Sequence, residues 1–568
     1  MEQIKNKMGV LKTFTFVFLC AMLTFLCVCC ASAKTIYVPD NYSTIQDAVN
    51  ASFPGDTIVV RDGTYVENVF VNIPYLTIKS ENGSANCVVH SEYVYGGYGN
   101  AFTLNADGVK IEGFTITGYN GIYVYSDSNI ISSNNISSNN WYGISLSDSS
   151  NNTISNNNIS NNEFGISLGD SSENTISNNN ISNNGCGIDL FSYSSKNIIS
   201  DNNISNNLNG MHLYSYSSEN TISDNNISNN GYGISLWRSS ENTISDNNIS
   251  SNNYMGISLS DSSNNTISNN NISNNEFGIS LSNSSKNIIS GNEFTNDGLF
   301  VHSYQNSVFD NTVNGRPLIY LEDESNRFVD YAAGQVILVN CNNITVKNQE
   351  LTNTDVGIEL FHSHNCLISE NNISNNVDGI YLDDSSNNTI SDNNISSNNW
   401  IGIYLWISSE NTISDNNISN NDEVGIFLYD SSNNTISENN ISSNKWYGIY
   451  PFSSSNNIVY LNNFNNSDNV YSYNSNNIWN TTEQITYVYK GVTYTNYMGN
   501  YWSDYKGSDA DGDGIGDTPY SIDSDKDNYP LMERFENYPS LPATSIIKET
   551  GSHDIDLHRF SFTQDTSG

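Results

Sequence analysis

The clearest chemistry in the sequence lies in Asp509-Ala-Asp511-Gly-Asp513-Gly514-Ile515-Gly-Asp517. Carboxylates at the first, third, fifth and ninth positions, glycine at the sixth and the Ile515 carbonyl at the seventh match the start of a calcium loop, where oxygens converge on a hard cation. The twelfth position is Tyr520 and not the bidentate Glu of an EF-hand, so Asp523 or Asp525 is the expected source of the missing ligand. A solvated acidic turn is the alternative. His362, His364 and Cys366 form a second set, whose alternate spacing on a strand would gather soft N and S donors suited to copper or zinc. Nothing else in the sequence completes that site. A third set, Asn353-Thr354-Asp355 with Asp383-Asp384, offers paired acids of the kind that protonate a glycosidic oxygen and activate water. Bend aspartates without chemical duty are the alternative, and no residue is assigned to catalysis. The fourth set is aromatic: Tyr381, Tyr404, Trp406, Phe427, Tyr429, Tyr450 and Phe452 each stand two or four places after a recurring glycine. Facing outward, they would form a surface on which sugar rings could stack; neighbouring rings stacking on one another to stiffen the sheet is the alternative.

The recurring glycine fixes the elements that must position all four sets. It is followed by Ile or Met at Gly121, Gly143, Gly165, Gly187, Gly210, Gly233, Gly256 and Gly278, and again at Gly357, Gly379, Gly402, Gly425 and Gly448, always 22 or 23 residues apart within a series. A fixed period of this length marks a solenoid. Within one unit Ile144 and Leu146 alternate with Ser145, the signature of a strand with one buried face. The odd steps from Ile154 to Ile159 and on to Ile166 cannot keep one phase, so the chain must bend between them. Three short strands, GISL, NTIS and NIS, then close one coil of a parallel β-helix, with Asn and Ser at corners that need left-handed backbone. By this alignment His362 and His364 fall in a bend. Leucine-rich repeats need more Leu, and runs such as SNNNISNN form helices poorly.

The periodic blocks span 121–290 and 357–480. Before them, 34–120 reads as a terminal cap and first coils, with Ser43 and Gln46 as a capping box for a short helix ending near Ala51. Residues 291–356 read as irregular coils with an inserted loop, 481–532 as a segment bearing the acidic loop, and 533–568 as a polar tail. Residues 1–33 combine early lysines, an apolar run and Ala31-Ser32-Ala33, a signal peptide that implies export; an uncleaved anchor is the rival reading. The opening TIYVPDNYSTIQDAV resembles the cap of the pectate-lyase-like right-handed β-helix superfamily. The stretch VNGRPLIYLED…GQVILVNCNNITV, the Asn-rich coils and GNYWSDYKGSDADGDGIGDTPYSI together resemble the NosD-like family of exported β-helix proteins. That resemblance implies an envelope or secreted location, a fold linked to carbohydrate binding or sugar hydrolysis, and a connection with copper.

Composition narrows the partners. The net charge of −40 in 568 residues, with six arginines, disfavours nucleic acid and anionic surfaces and attracts cations. A polyuronate lyase needs a base beside bound calcium, and scarce arginine argues against one. Half of the eight cysteines lie before residue 34, and Cys87, Cys186, Cys341 and Cys366 are too dispersed for a disulfide scaffold. No second apolar run is long enough to span a membrane. Asn-x-Ser/Thr sequons such as Asn158-Ile-Ser160 recur in nearly every coil as by-products of Asn columns or glycan acceptors. The expectation is a non-catalytic exported β-helix protein that binds glycans or envelope components, with calcium in its C-terminal loop. A polysaccharide-processing enzyme and a copper-handling protein remain the alternatives.

Overall fold

The computed structural model describes residues 33–93, 99–523 and 525–540. The expected signal peptide and most of the polar tail lie outside these residues. Strands of one coil pair in parallel with the equivalent strands of the next, and like residues sit opposite like: Ile144 with Ile166, Ile154 with Ile176, Ile159 with Ile181. These isoleucines are fully buried along the axis. The three strands of one coil are Tyr142–Ser147, Thr153–Ser155 and Asn158–Ser160. Between them the chain turns on Asp148, Asn151, Asn156 and Asn161, all at φ between 49° and 57°. The bend between Ile154 and Ile159 is thus Asn156 in left-handed backbone, a conformation that Asn adopts at little cost.

Two further devices hold coil to coil. A Cβ on the repeat glycine would lie 2.6 Å from the carbonyl oxygen of the next glycine at both Gly143 and Gly165, so only glycine permits the coils to close. Inside each corner a buried asparagine bridges three coils. The Asn157 main-chain N–H and its amide both donate to Asn179 Oδ1 at 3.0 Å, and the amide also donates to the Ile131 carbonyl at 2.9 Å. Such columns give most buried corner amides a partner, with Asn306 Nδ2 and Asn477 Nδ2 at the column ends among the exceptions, which matters because each unsatisfied one costs about 1–3 kcal/mol.

The solenoid is not one uninterrupted rod. The main stack ends near Val313, where the chain reverses through an antiparallel hairpin at Asn314-Gly315, both at positive φ. Asn-Gly is the preferred pair for such a turn, a signal present in the sequence but absent from the reading of 291–356 as a looped insertion. A second stack of coils then builds from Arg316–Glu322 and Gln335–Val339 onward. Its first sheet lies across the open end of the first stack. Val336 and Leu338 enter the second core, while Ile337 and Val339 enter the first, so this strand is buried on both faces and reads as an unbroken apolar run.

The N-terminal end is plugged by the helix Ile45–Asn50, whose Ile45, Ala48 and Val49 join the core. Its N-cap is Thr44 and not Ser43: the Thr44 hydroxyl accepts from Asp47 N at 3.0 Å, and Glu67 accepts from the N–H groups of Ile45 and Gln46. Gln46 reaches instead to the Phe70 backbone. At the other end Trp479 and Trp502 close the second core, and no helix of the described residues is long and apolar enough to cross a membrane.

Candidate functional site

The two outer columns of the second stack begin inside the junction and emerge from it. One runs Ile337, Glu359, Tyr381, Tyr404, Phe427, Tyr450, and the other Val339, Phe361, Asp383, Trp406, Tyr429, Phe452. Their early members pack on the first stack. Tyr381 is therefore not part of an exposed strip: it is 5% exposed, lies 5.4 Å from Phe300 and stacks on His302. From Tyr404 onward the rings are half-buried and stack coil upon coil. Trp406, Tyr429 and Phe452 stack nearly parallel at 4.3 and 5.1 Å, with Tyr473 continuing at 5.0 Å. Tyr404, Phe427 and Tyr450 follow at 4.9 and 4.8 Å. The two ladders meet nearly at right angles. Ring faces are thus largely occupied by neighbouring rings, and what the surface presents is a double row of ring edges and tyrosine hydroxyls.

The junction gathers acids that the sequence did not single out as a group. Asp297 stands where every earlier coil of its column has Asn, and it accepts from the Asn275 main chain and amide at 2.9 and 2.8 Å. Asp355 accepts from Gly278 N at 2.9 Å, Gln335 from Leu299 N at 3.0 Å and Glu359 from Val301 N at 3.0 Å. Burial raises all three carboxyls well above the usual carboxylate range, and for Asp297 the adjacent Asp355 adds to it. These groups satisfy the edge N–H groups at the end of the first stack. The Asn353-Thr354-Asp355 set accordingly does structural work: the Thr354 hydroxyl donates to the Asp297 carbonyl. Asp383 is pushed up to about 6 by burial and then by Asp384, and faces His302 at 3.6 Å, whose own value burial lowers to about 4.

The three soft-ligand candidates diverge. His362 Nδ1 lies 3.0 Å from Asp384, His364 Nδ1 accepts from Ser386 N at 3.0 Å, and Cys366 is buried in the second core with its thiol pushed up to about 11 by burial. The corner at His362, with φ of 50°, breaks the strand alternation that would have brought them to one face.

The acidic loop is well formed. Asp509, Asp511 and Asp513 bring oxygens within 4.8 Å of one another, the one such group of three metal-ligating side chains among the described residues. Asp509 accepts from the N–H groups of Gly512 and Gly514, and Asp517 from Ala510 N at 2.8 Å. Gly514 sits at φ of 91° under Tyr489 and Tyr538, where a Cβ would collide with either ring. Ile515 anchors the loop in a small aromatic core. Asp523 and Asp525 do not join it: they accept from Ser472 N and Asn477 N at 2.7 and 2.9 Å, and Asp527 accepts from Asn500 N at 2.8 Å. Together these three terminate the second stack. Sequence reading also passed over Trp141 and Trp400, which precede the repeat glycines by two places. Trp141 lines a pocket of about 380 Å³ with Tyr119, Asn120, Tyr123 and Tyr142.

The family model described as periplasmic copper-binding protein (NosD) matches residues 190–330 and 320–507, together more than half of the chain. The chain belongs to the NosD family. A right-handed β-helix region is matched over 99–247. A cell surface glycoprotein of Methanothermus fervidus is 33% identical over 112 residues, 19% of this chain and 18% of that protein, so the chain spans less than a fifth of that relative's length. Among solved structures, the Dettilon tailspike protein is 15% identical over 61% of this chain and 68% of its own, with a TM-score of 0.37. Pectate lyase Pel9A is 18% identical over 49% and 78%, with a TM-score of 0.32. The copper in the family's name finds no matching donor set among the described residues of this NosD-family chain. Copper takes convergent imidazole, thiolate or thioether donors. Here His362, His364 and Cys366 part company, and the group that does converge is all carboxylate.

Proposed function

We propose that this NosD-family chain is an exported, non-catalytic surface protein that binds glycans or another envelope component along the aromatic face of its second stack. The observation that carries the reading is the pair of ladders from Tyr404 and Trp406 to Tyr450 and Phe452, continuous over three coils and open to solvent along their edges. Each contact to a ring edge or hydroxyl is weak, but a polymer lying along the stack makes them repeatedly, and linked weak contacts add up to useful avidity. The likeness to a cell surface glycoprotein and the family's periplasmic description support a place outside the cytoplasm. The commitment of Asp297, Asp355 and Glu359 to backbone N–H groups supports a binding role over a hydrolytic one. Incubating the chain with neutral and acidic polysaccharides tests it: retention on a polysaccharide matrix is expected, and new reducing ends or unsaturated products would overturn it.

We read the loop from Asp509 to Asp517 as a calcium site, with Asp509, Asp511, Asp513, the Ile515 carbonyl and Asp517 as ligands. Convergent hard oxygens in a loop already bent around Gly514 support this. Calcium there would stiffen the segment that closes the second stack.

A further inference from the structure

The elbow between the two stacks holds a cleft of about 280 Å³ with walls from both. The first stack contributes Glu276 and Asn296, and the second Asn353, Asn375, Asn399 and Trp400. Ligand sites concentrate in clefts between packed bodies, and this volume, at the low end of the range for small molecules, fits one or two sugar units. Behind the cleft the polar groups are already committed: Asn275 to Asp297, Asp355 to Gly278 N. At its mouth they are not. The Glu276 carboxylate, the Asn399 amide and the Trp400 indole N–H have no hydrogen-bond partner among the described residues. Trp400 is 37% exposed, and Phe277 fixes its ring at 5.8 Å and 68°. The arrangement is an aromatic platform, a pure acceptor and groups that both give and take, converging on one concavity. No Lys or Arg lines it.

We propose that the elbow cleft binds an uncharged pyranose unit of a glycan, with the sugar's carbon face on Trp400 and its hydroxyls donating to Glu276 and bonding to Asn399. An aromatic ring supplies area and a polar edge at once, which suits an amphipathic sugar face. Partial desolvation of Glu276, which raises its carboxyl, marks the same spot as shielded from water. A uronic acid would meet Glu276 and the chain's −40 charge with no cation to receive it. The inference rests on the reading of the chain as a glycan-binding protein and adds a discrete pocket to the extended strip.

Titration calorimetry of the whole exported chain against glucose, mannose, N-acetylglucosamine and galacturonic acid tetrasaccharides tests it, with the fold of each variant checked by circular dichroism. At least one uncharged tetrasaccharide is expected to bind. Trp400→Ala should weaken it roughly tenfold or more and Glu276→Gln several-fold, while Tyr429→Ala leaves it within about twofold. Because Glu276 and Asn399 hold nothing in the fold, Glu276→Gln and Asn399→Ala keep the test sound even if Trp400→Ala does not fold. Affinity unchanged in Glu276→Gln and Asn399→Ala but lost in Tyr429→Ala overturns the elbow and leaves the strip standing. No binding in any arm overturns both, and preference for the galacturonate overturns the uncharged ligand.

Discussion

The two stacks agree inside and differ outside. Ile176 in the first and Ile390 in the second occupy the same buried slot, and Asn179 and Asn393 hold the same corner column with matching bonds to the next coil. On the outer face, the slots after Gly143 and Gly256 hold mostly serine, while those after Gly402, Gly425 and Gly448 hold Tyr404 with Trp406, Phe427 with Tyr429, and Tyr450 with Phe452. The interior tolerates almost no change because each coil must fit the next. The outer columns carry no such constraint, and there the second stack acquires its own character. The same outer columns do two jobs along their length: they seal the first stack's end at Ile337, Glu359 and Phe361, then face solvent.

The comparison breaks most readily from the inside. Gly233→Ala would set a Cβ 2.4 Å from the Gly256 carbonyl. A loss of about 3 kcal/mol in urea unfolding is expected, against less than about 0.5 kcal/mol for Ser235→Ala on the outer face. Asn225→Ala should cost about 2–4 kcal/mol, since it strands the Asn202 and Asn247 partners on either side. On the calcium reading of the loop from Asp509 to Asp517, a chelator should destabilise the C-terminal closure by up to about 2.7 kcal/mol relative to calcium at a hundredfold excess over Kd, read as a lower melting temperature, and Asp511→Asn should abolish that response. Making the second stack resemble the first, by Tyr404→Ser with Trp406→Ser, should weaken polysaccharide retention roughly tenfold and cost about 1–2 kcal/mol of stacking, measured by affinity electrophoresis and thermal melting.

The smallest effect concerns pH. Burial raises Asp297, Asp355 and Glu359, so the folded junction keeps protons that the unfolded chain has released. Its contribution is therefore full at acid pH and falls as pH rises above the ordinary carboxylate range toward mildly alkaline values. Asp297→Asn restores the residue used by the rest of its column, and its Oδ1 can take both bonds from Asn275, as Asn275 takes both from Asn252. That variant should lose less stability than the parent between about pH 5 and about pH 9, by about 1 kcal/mol in thermal melts. An identical slope in parent and variant would remove the junction from the account.

What the sequence made legible followed from local repetition. The coil, its three strands, the bends at Asn156-type residues and the loop from Asp509 to Asp517 all depend on residues close together or strictly periodic. The junction depends on partners far apart: Gly278 with Asp355, Val301 with Glu359, Phe277 with Trp400. No period encodes these pairs, so Tyr381 read as exposed and Trp400 went unnoticed. The hairpin at Asn314-Gly315 had a readable cue, but expecting the coils simply to resume at Gly357 obscured it. Asp523 and Asp525 stood near enough to the acidic loop to pass for ligands, although their carboxylates close the stack.

The asparagine columns have a direction. Each rung gives its main-chain N–H and amide to the next coil and takes from the one before, so any stack ends in donors. Asparagine alone cannot finish such a series, because every added rung recreates the same hunger for an acceptor. A carboxyl can, since its oxygens take the incoming bonds while it brings no amide NH2 to hand on: Asp297 stops one column of the first stack, and Asp525 and Asp527 stop two of the second. An exposed donor end is a template for further strands, including those of another molecule. At the far end of the second stack, then, Asp525 and Asp527 in place of asparagine leave those two columns without an amide rung on which a further coil, or another molecule, could build.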